Sequence, residues 1–186
     1  MCRSVTPMAS SLADIVTSRT VREHMTRTNP QEHWYWRREP IKPGPCVIVD
    51  IDGVLADASG RQHLRGLGDW RAFFDVCDED PLIPETSRWL DLLDASIAVL
   101  LVTGRPRRVQ TKTVEWLERF GVRWDLLVTR DFGDYSGVSE FKRDVLGDIQ
   151  SSGFDVRLSV EDDPANHAMY VAAGIACLYI HSGYYL

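Results

Sequence analysis

Five short apolar runs recur from Cys46 onward, separated by stretches of helical period. CVIVDI (46–51), IAVLLV (97–102), LLV (126–128), VRLSVE (156–161) and IACLYI (175–180) are rich in Val, Ile and Leu. Continuous runs of this length read as strands buried on both faces. Between them PETSRWLDLLDAS (84–96) is amphipathic, with Leu90, Leu92 and Leu93 near its apolar face. Residues 106–120 carry Val109, Val114, Trp116, Leu117 and Phe120 at helical spacing and stop at Gly121. VSEFKRDVLGDI (138–149) and the segment from Pro164 to Ala173 are the remaining predicted helices. Repeated strand–helix alternation requires right-handed crossovers. The expected fold is therefore α/β, a three-layer α/β/α sandwich around a five-stranded parallel sheet. Ligands bind such sheets beyond the carboxyl ends of the strands, at the topological switch point.

Charge divides the chain. Residues 1–45 carry seven Arg or Lys against four acids, a local +3, and the remainder carries fourteen against twenty-three, a local −9. The first thirty residues are rich in Ser, Thr and Arg without sustained periodicity. A partly disordered extension over 1–45 is expected ahead of a domain over 46–186. HWYWRREP (33–40) sets three aromatics beside two arginines. Such a cluster can stack on bases and hold phosphates. Folding back of Trp34 and Trp36 onto the core is the favoured reading. A net charge of −6 excludes a generic duplex-coating protein, which needs a broad basic face. No apolar run approaches the ~20 residues of a spanning helix, and the N-terminus lacks the apolar centre of a secretory signal. Cys2, Cys46, Cys77 and Cys177 show no paired spacing and read as free thiols of a reducing compartment. A cytoplasmic location without membrane contact is expected.

Chemistry gathers where the strands end. Asp50 and Asp52 of DIDGV lie two apart on an extended segment, hence on one side, and Gly53 lets the chain turn away. Thr103, Gly104 and Arg105 follow the second run, Lys142 lies in the helix before the fourth, and Glu161, Asp162 and Asp163 end the fourth. Carboxylates this close repel one another unless a hard cation intervenes, and oxygen ligands suit Mg²⁺. A carboxylate can attack phosphorus to give an aspartyl-phosphate, dividing one slow hydrolysis into two easier steps. A second acid can protonate the leaving oxygen and later accept a proton from water.

DIDGV, TGR, the lysine and ED, in this order, resemble the haloacid dehalogenase superfamily of phosphohydrolases. The resemblance implies that Asp50 is the nucleophile and Asp52 the acid/base. It implies that Thr103 holds the phosphoryl group and that Lys142 neutralises Asp50 and the phosphate. Metal ligation would fall to Asp50, the Asp52 backbone carbonyl and Asp162, with Glu161 as accessory acid and Asp163 the alternative in that role. Asp162 is chosen because it stands twelve positions before Gly174.

A narrower likeness covers 46–186. DIDGVLADASGR, WRAFF, DPLIP, LLVTGRP, TVEWLERFGV, DLLVTR, GD and SGYY are similar to the phosphatase domain of phage polynucleotide kinase-phosphatases. Members remove 3′-phosphates from nucleic acid ends, and some accept nucleotides. The likeness implies a phosphorylated nucleic acid end or nucleotide as substrate, a separate kinase or ligase as partner, and host cytoplasm if phage-encoded. No G-x-x-x-x-G-K-[ST] loop occurs, so the kinase half is not expected in this chain. Ser136 and Val138 stand where that family usually carries arginine and then aspartate, which implies a different grip on the substrate.

Arginines near strand ends complete the expectation. Arg105 and Arg108 fall where a helix begins, and a helix N-terminus prefers anions, so they are expected to face phosphate. Gly104 and Arg130 join them in the predicted substrate-binding set. The segment from Ala56 to Pro84 is a minimal cap insert, with Trp70, Phe73 and Phe74 expected to pack on the core. One of these rings stacking on a base is the competing reading. Three functions remain open: a 3′-end phosphatase of nucleic acids, a phosphatase of small nucleotides or other metabolites, and a non-catalytic module that binds phosphorylated ends.

Overall fold

The computed structural model describes residues 34–131 and 136–185. Its strands are β1 (Trp34–Trp36), β2 (Pro45–Val49), β3 (Ala98–Pro106), β4 (Leu126–Arg130), β5 (Asp155–Glu161) and β6 (Cys177–Tyr179). Its helices are α1 (Gln62–Gly66), α2 (Trp70–Asp75), α3 (Pro84–Asp91), α4 (Gln110–Arg119), α5 (Val138–Ser151) and α6 (Pro164–Ala172). The strands form one sheet in the order β1-β4-β3-β2-β5-β6. From β2 the chain winds outward through β3 to β4, then crosses to the other side of β2 for β5 and β6. The switch point therefore lies beside the end of β2.

Period-two alternation builds the two cores. Cys46, Ile48, Leu100, Val102, Leu126 and Val128 meet Phe141, Val145 and Ile149 of α5 and Met169 and Tyr170 of α6. The intervening Val47, Val49, Val99, Leu101 and Leu127 meet Leu90 of α3 and Trp116 and Leu117 of α4. Both faces of the central strands are thus covered, which explains their unbroken apolar sequences.

The sheet has six strands instead of five. β1 runs antiparallel to β4, with Trp34 opposite Val128 and Trp36 opposite Leu126. Trp34 and Trp36 lie against Phe154, with ring centroids 6.4 and 6.3 Å away. Tyr35, on the other face, stacks on Trp124 at 6.1 Å. Arg37 donates to Glu118 at 3.0 and 3.1 Å. The aromatic–arginine cluster is thereby the edge of the sheet, ahead of the expected start at Cys46. The disorder expected earlier in the extension concerns residues that lie outside the described ones.

Two helix boundaries also differ. α3 stops at Asp91, so Leu92 faces solvent at 84% exposure instead of joining Leu90 in the core. β3 persists to Pro106, and a 3-10 turn (Arg107–Val109) precedes α4. The insert is small. It closes through an Ala56–Leu82 bridge, and Asp57 caps its first turn by accepting from the Ser59 amide at 3.0 Å. Cys46, Cys77 and Cys177 are free thiols. No helix among the described residues is long and apolar enough to cross a membrane.

Candidate active site

Beyond Val49 the backbone wraps into a tight turn, with the amides of Leu55 and Ala56 both 2.8 Å from the Ile51 carbonyl. Gly53 takes φ +82° there, and a Cβ on it would lie 2.0 Å from Asp162 Oδ2. Only glycine lets the Asp162 carboxylate approach this turn. The register that places Val49 beside Leu101 and Val160 brings Asp50, Thr103, Glu161 and Asp162 to one edge.

Asp50, Glu161 and Asp162 are buried, and each offers a carboxylate oxygen within 4.8 Å of the others. Lys142, fully buried on α5, lies 3.0 Å from Asp50 Oδ2 and also pairs with Glu161. Burial alone would lower the Lys142 pKa, but Asp50 and Glu161 outweigh it, so the ammonium stays charged. Three carboxylates then face one ammonium, leaving two negative charges uncompensated in the interior. Burial and the neighbouring charge of Asp50 push Asp162 up to about 7, and burial, against Lys142, pushes Glu161 up to about 8. Both Asp162 oxygens are buried without a hydrogen-bond partner among the described residues. Glu161, in contrast, is engaged by Lys142 and by Asn166 Nδ2 at 3.4 Å. A divalent cation fits this deficit in both charge and orphaned oxygens. Asp162 offers both of its oxygens to such an ion, whereas Glu161 is held by Lys142 and Asn166.

Asp52 belongs to a second network. Its Oδ1 accepts from Arg61 at 2.6 Å and from Arg105 at 2.6 and 3.0 Å. Behind it Asp80 accepts from Arg61 at 2.7 Å, and Arg105 donates to Thr113 Oγ1 at 3.2 Å. Two buried arginines balance two carboxylates. Burial opposes the Asp52 charge, but Arg105 and then Arg61 hold its carboxyl below the ordinary range. Oδ2 takes no part in these contacts.

Residues 44–185 match the family described as the polynucleotide kinase PNKP phosphatase domain. The chain belongs to this family. It is a phosphatase of the haloacid dehalogenase type. Two structures of the Pnkp1/Rnl/Hen1 complex, one described as an RNA repair complex, share its fold. They align with TM-scores of 0.64 and 0.62 at 21% and 22% identity. The matches cover 78% and 76% of this chain but only 45% and 47% of those chains, so it spans less than half their length. A provisional phosphoglycolate phosphatase from Lactobacillus plantarum aligns with a TM-score of 0.54 at 14% identity, over 76% of this chain and 88% of its own.

In this phosphatase a cavity of about 370 Å³ opens over Asp50, Asp52, Thr103 and Gly104. Thr103 Oγ1 accepts from the Arg105 amide at 3.2 Å as β3 shifts register before Pro106. That irregularity turns Thr103 toward the cavity and Arg105 away from it. Arg105 is 0% exposed and does not line the cavity, contrary to the expectation of a phosphate contact. Arg108 also turns elsewhere, pairing with Asp75 and donating to the Arg71 carbonyl at 3.0 Å. Arg130 lines the wall and donates to the Ser136 carbonyl at 2.5 Å. Asp163 caps α6, accepting from Ala165 at 2.7 Å.

Several functional residues escaped the sequence reading. Arg61 and Asp80 carry the second network; they lie 19 positions apart in the stretches DIDGVLADASGR and DPLIP, with no sign there that the two side chains pair. Asn166 links Ser139, whose hydroxyl is 2.6 Å away, to Glu161. The C-terminal tail closes one side, with Tyr184 Oη donating to Asp57 at 2.8 Å and Tyr185 lining the cavity. A closing SGYY is visible in the sequence, but its return to the insert is a long-range contact.

Proposed function

We propose that this phosphatase is a Mg²⁺-dependent phosphomonoesterase that acts through an aspartyl-phosphate on Asp50 and removes 3′-phosphates from nucleic acid ends. The observation that carries the chemistry is the buried trio of Asp50, Lys142 and Asp162, with the Asp162 oxygens unpartnered. Lys142 and the Ile51 amide, 2.8 Å from Asp50 Oδ1, hold the nucleophile in place. A bound Mg²⁺, held by Asp50, Asp162 and the Asp52 carbonyl, would supply charge neutralisation for the phosphoryl oxygens.

In the first step an Asp50 oxygen bonds to phosphorus and the ester P–O bond breaks. The leaving oxygen takes its proton from Asp52. Arg61 and Arg105 favour the carboxylate of Asp52, whereas an entering phosphate dianion favours the protonated form this step needs. In the second step water attacks the phosphorus of the acyl-phosphate and gives a proton back to Asp52. The P–O bond to Asp50 breaks, inorganic phosphate leaves and Asp50 is regenerated. Thr103 Oγ1 and Lys142 are placed to hold the transferred group.

Family membership supports a nucleic acid end as substrate. Similarity to a chain of an RNA repair complex supports a repair role beside a separate kinase or ligase. The cavity size favours a second reading, because about 370 Å³ is comparable to a single bound mononucleotide. Turnover of one 3′-phosphorylated oligonucleotide beside a panel of mononucleotides decides between them. A kcat/KM at least tenfold higher for the oligonucleotide is expected, and equal values would favour the small-nucleotide reading.

A further inference from the structure

Trp70, Phe73 and Phe74 come from one turn of α2 yet meet different fates. Phe73 is buried, whereas Trp70 is 51% exposed and lines the same cavity as Asp50 and Thr103. The ring of Phe74 stacks with Trp70 at 6.2 Å and 27°, and Phe73 meets it edge-on at 5.6 Å. A bulky ring is therefore braced from its own helix while much of its surface stays open. Beside it stands Arg65 of α1. Its guanidinium carbon lies 5.9 Å from the Trp70 ring centre and 4.6 Å from that of Tyr185. Both Arg65 and Tyr185 also line the cavity. Arg61, Arg105 and Arg108 all have carboxylate partners, but Arg65 has none among the described residues. Among the described residues its guanidinium lies against the two rings.

A planar cation between two rings, with its donors unclaimed, is a surface for another planar group that accepts hydrogen bonds. Nucleobases stack on aromatic rings and on guanidinium planes alike. A substrate anchored by its phosphate at Asp50 must place its remaining atoms elsewhere in the same cavity. The geometry points to the row Tyr185–Arg65–Trp70 as the subsite for the nucleobase of the phosphorylated nucleoside. This rests on the phosphomonoesterase reading for its orientation, and it makes Trp70 a specificity-determining residue that the chemistry itself does not need. Core packing, the expectation for all three rings, holds for Phe73 and fails for Trp70.

The test compares a substrate with a base to one without. Thymidine 3′-monophosphate and glycerol 2-phosphate serve, whereas a nitrophenyl ester does not, because it carries a ring of its own. Trp70→Ala is expected to raise KM for the nucleotide about tenfold to hundredfold, the range of a lost base stack, with kcat within about threefold. Glycerol 2-phosphate kinetics should not move, and Trp70→Phe should restore most of the nucleotide KM. An unchanged nucleotide KM, or an equal loss on both substrates in folded protein, overturns the subsite. Calorimetric binding of the same two phosphates to Asp50→Asn protein, with and without Trp70→Ala, decides the question independently of turnover. Selective weakening of the nucleotide supports the subsite, and equal weakening overturns it. Wild-type enzyme that hydrolyses neither compound would remove the phosphomonoesterase reading and leave the binding result standing.

Discussion

The guanidinium of Arg105 reaches Asp52 Oδ1 at 2.6 Å from a position with no solvent exposure. An arginine that sequence position marks for phosphate is therefore spent on a carboxylate beside the cavity. Together with Arg61 it fixes one oxygen of Asp52 and leaves the other unclaimed. The second carboxylate of the DIDGV turn is thus held rigidly, as its proposed part in giving and receiving a proton requires.

Arg105→Lys tests that arrangement. Lysine keeps the charge but cannot span Asp52 and Thr113 with a planar fork. The expected result is a kcat lowered at least about tenfold, the scale of a displaced acid/base, with KM changed only a few-fold. Stability should fall by about 1–3 kcal/mol, because buried acceptors lose donors. Steady-state kinetics and thermal melting read both effects. A raised KM with kcat intact would mean that Arg105 contacts substrate after all.

The misplacement of Arg105 shows where the sequence ceases to be legible. The helix-start argument supposes that residue 105 lies on a first turn, yet β3 runs to Pro106 and α4 begins only at Gln110. An error of a few residues in a boundary reverses the inference, because a strand residue answers to sheet packing and not to a helix dipole. The central strands β2, β3 and β4 were readable because burial on both faces forces unbroken apolar runs, whereas β6 is an edge strand with Leu178 and Tyr179 exposed. β1 was not, since WYW is three residues long and gains its partner only from β4. Asp50, Thr103 and Asp162 were readable because the fold carries strand ends to one edge. Arg61 and Asp80 stand in the stretches DIDGVLADASGR and DPLIP, but their pairing was invisible, since only the closed insert brings them together.

Asp50→Asn separates chemistry from stability. An amide cannot form the acyl-phosphate, so turnover should collapse by at least about 10³-fold, the order expected when a nucleophile is lost. The same change removes one of the three carboxylates crowded against Lys142. Without metal, the variant should melt at or above the wild-type temperature, because a poorly solvated charge is gone. A variant that melts well below wild type would show that the Asp50–Lys142 pair outweighs the repulsion.

Mg²⁺ should restore what chelation removes. Activity is expected to vanish with chelator and return with Mg²⁺ or Mn²⁺. At a hundredfold excess over its dissociation constant the ion adds about 2.7 kcal/mol to stability by mass action. For a chain of this size that is roughly 5–11 °C in Tm. Asp162→Ala should abolish the Tm gain, and Gly53→Ala should weaken it by driving a methyl group against the Asp162 carboxylate. Full activity after chelation would remove the cation from the reaction.

A pH test falls on Asp57, away from the proposed metal ligands. The amide of Ser59, then its hydroxyl, then Tyr184 hold this carboxyl below its ordinary 3.8. A depressed carboxyl contributes stability that is fully present above its unfolded value and is lost as pH falls through the folded one. Asp57→Ala should therefore cost about 1–2 kcal/mol near pH 7, the worth of a cap plus a charged hydrogen bond. The gap between variant and wild type should narrow below pH 3.8. A gap constant down to pH 2.5 would assign the loss to packing alone.

The edge strand supplies the last test, because the HWYWRREP cluster admits a nucleic-acid role and a structural one. Trp34 and Trp36 bear on Phe154, and Arg37 is occupied by Glu118. Trp36→Ala should lower stability by about 2–4 kcal/mol, somewhat less than a fully buried tryptophan costs, since its ring is only partly covered. Oligonucleotide and glycerol 2-phosphate turnover should then fall together as the folded fraction falls. Arg37→Ala breaks an ion pair that is largely exposed, worth at most about 1 kcal/mol, and should leave Tm within a few degrees. Each cation that releases a counterion from a single strand adds about 0.7 to the salt slope of binding. Because Arg37 is engaged within the fold, its removal should leave the slope for a 3′-phosphorylated oligonucleotide unchanged. A slope that drops by about 0.7 in Arg37→Ala would return this edge to the substrate path.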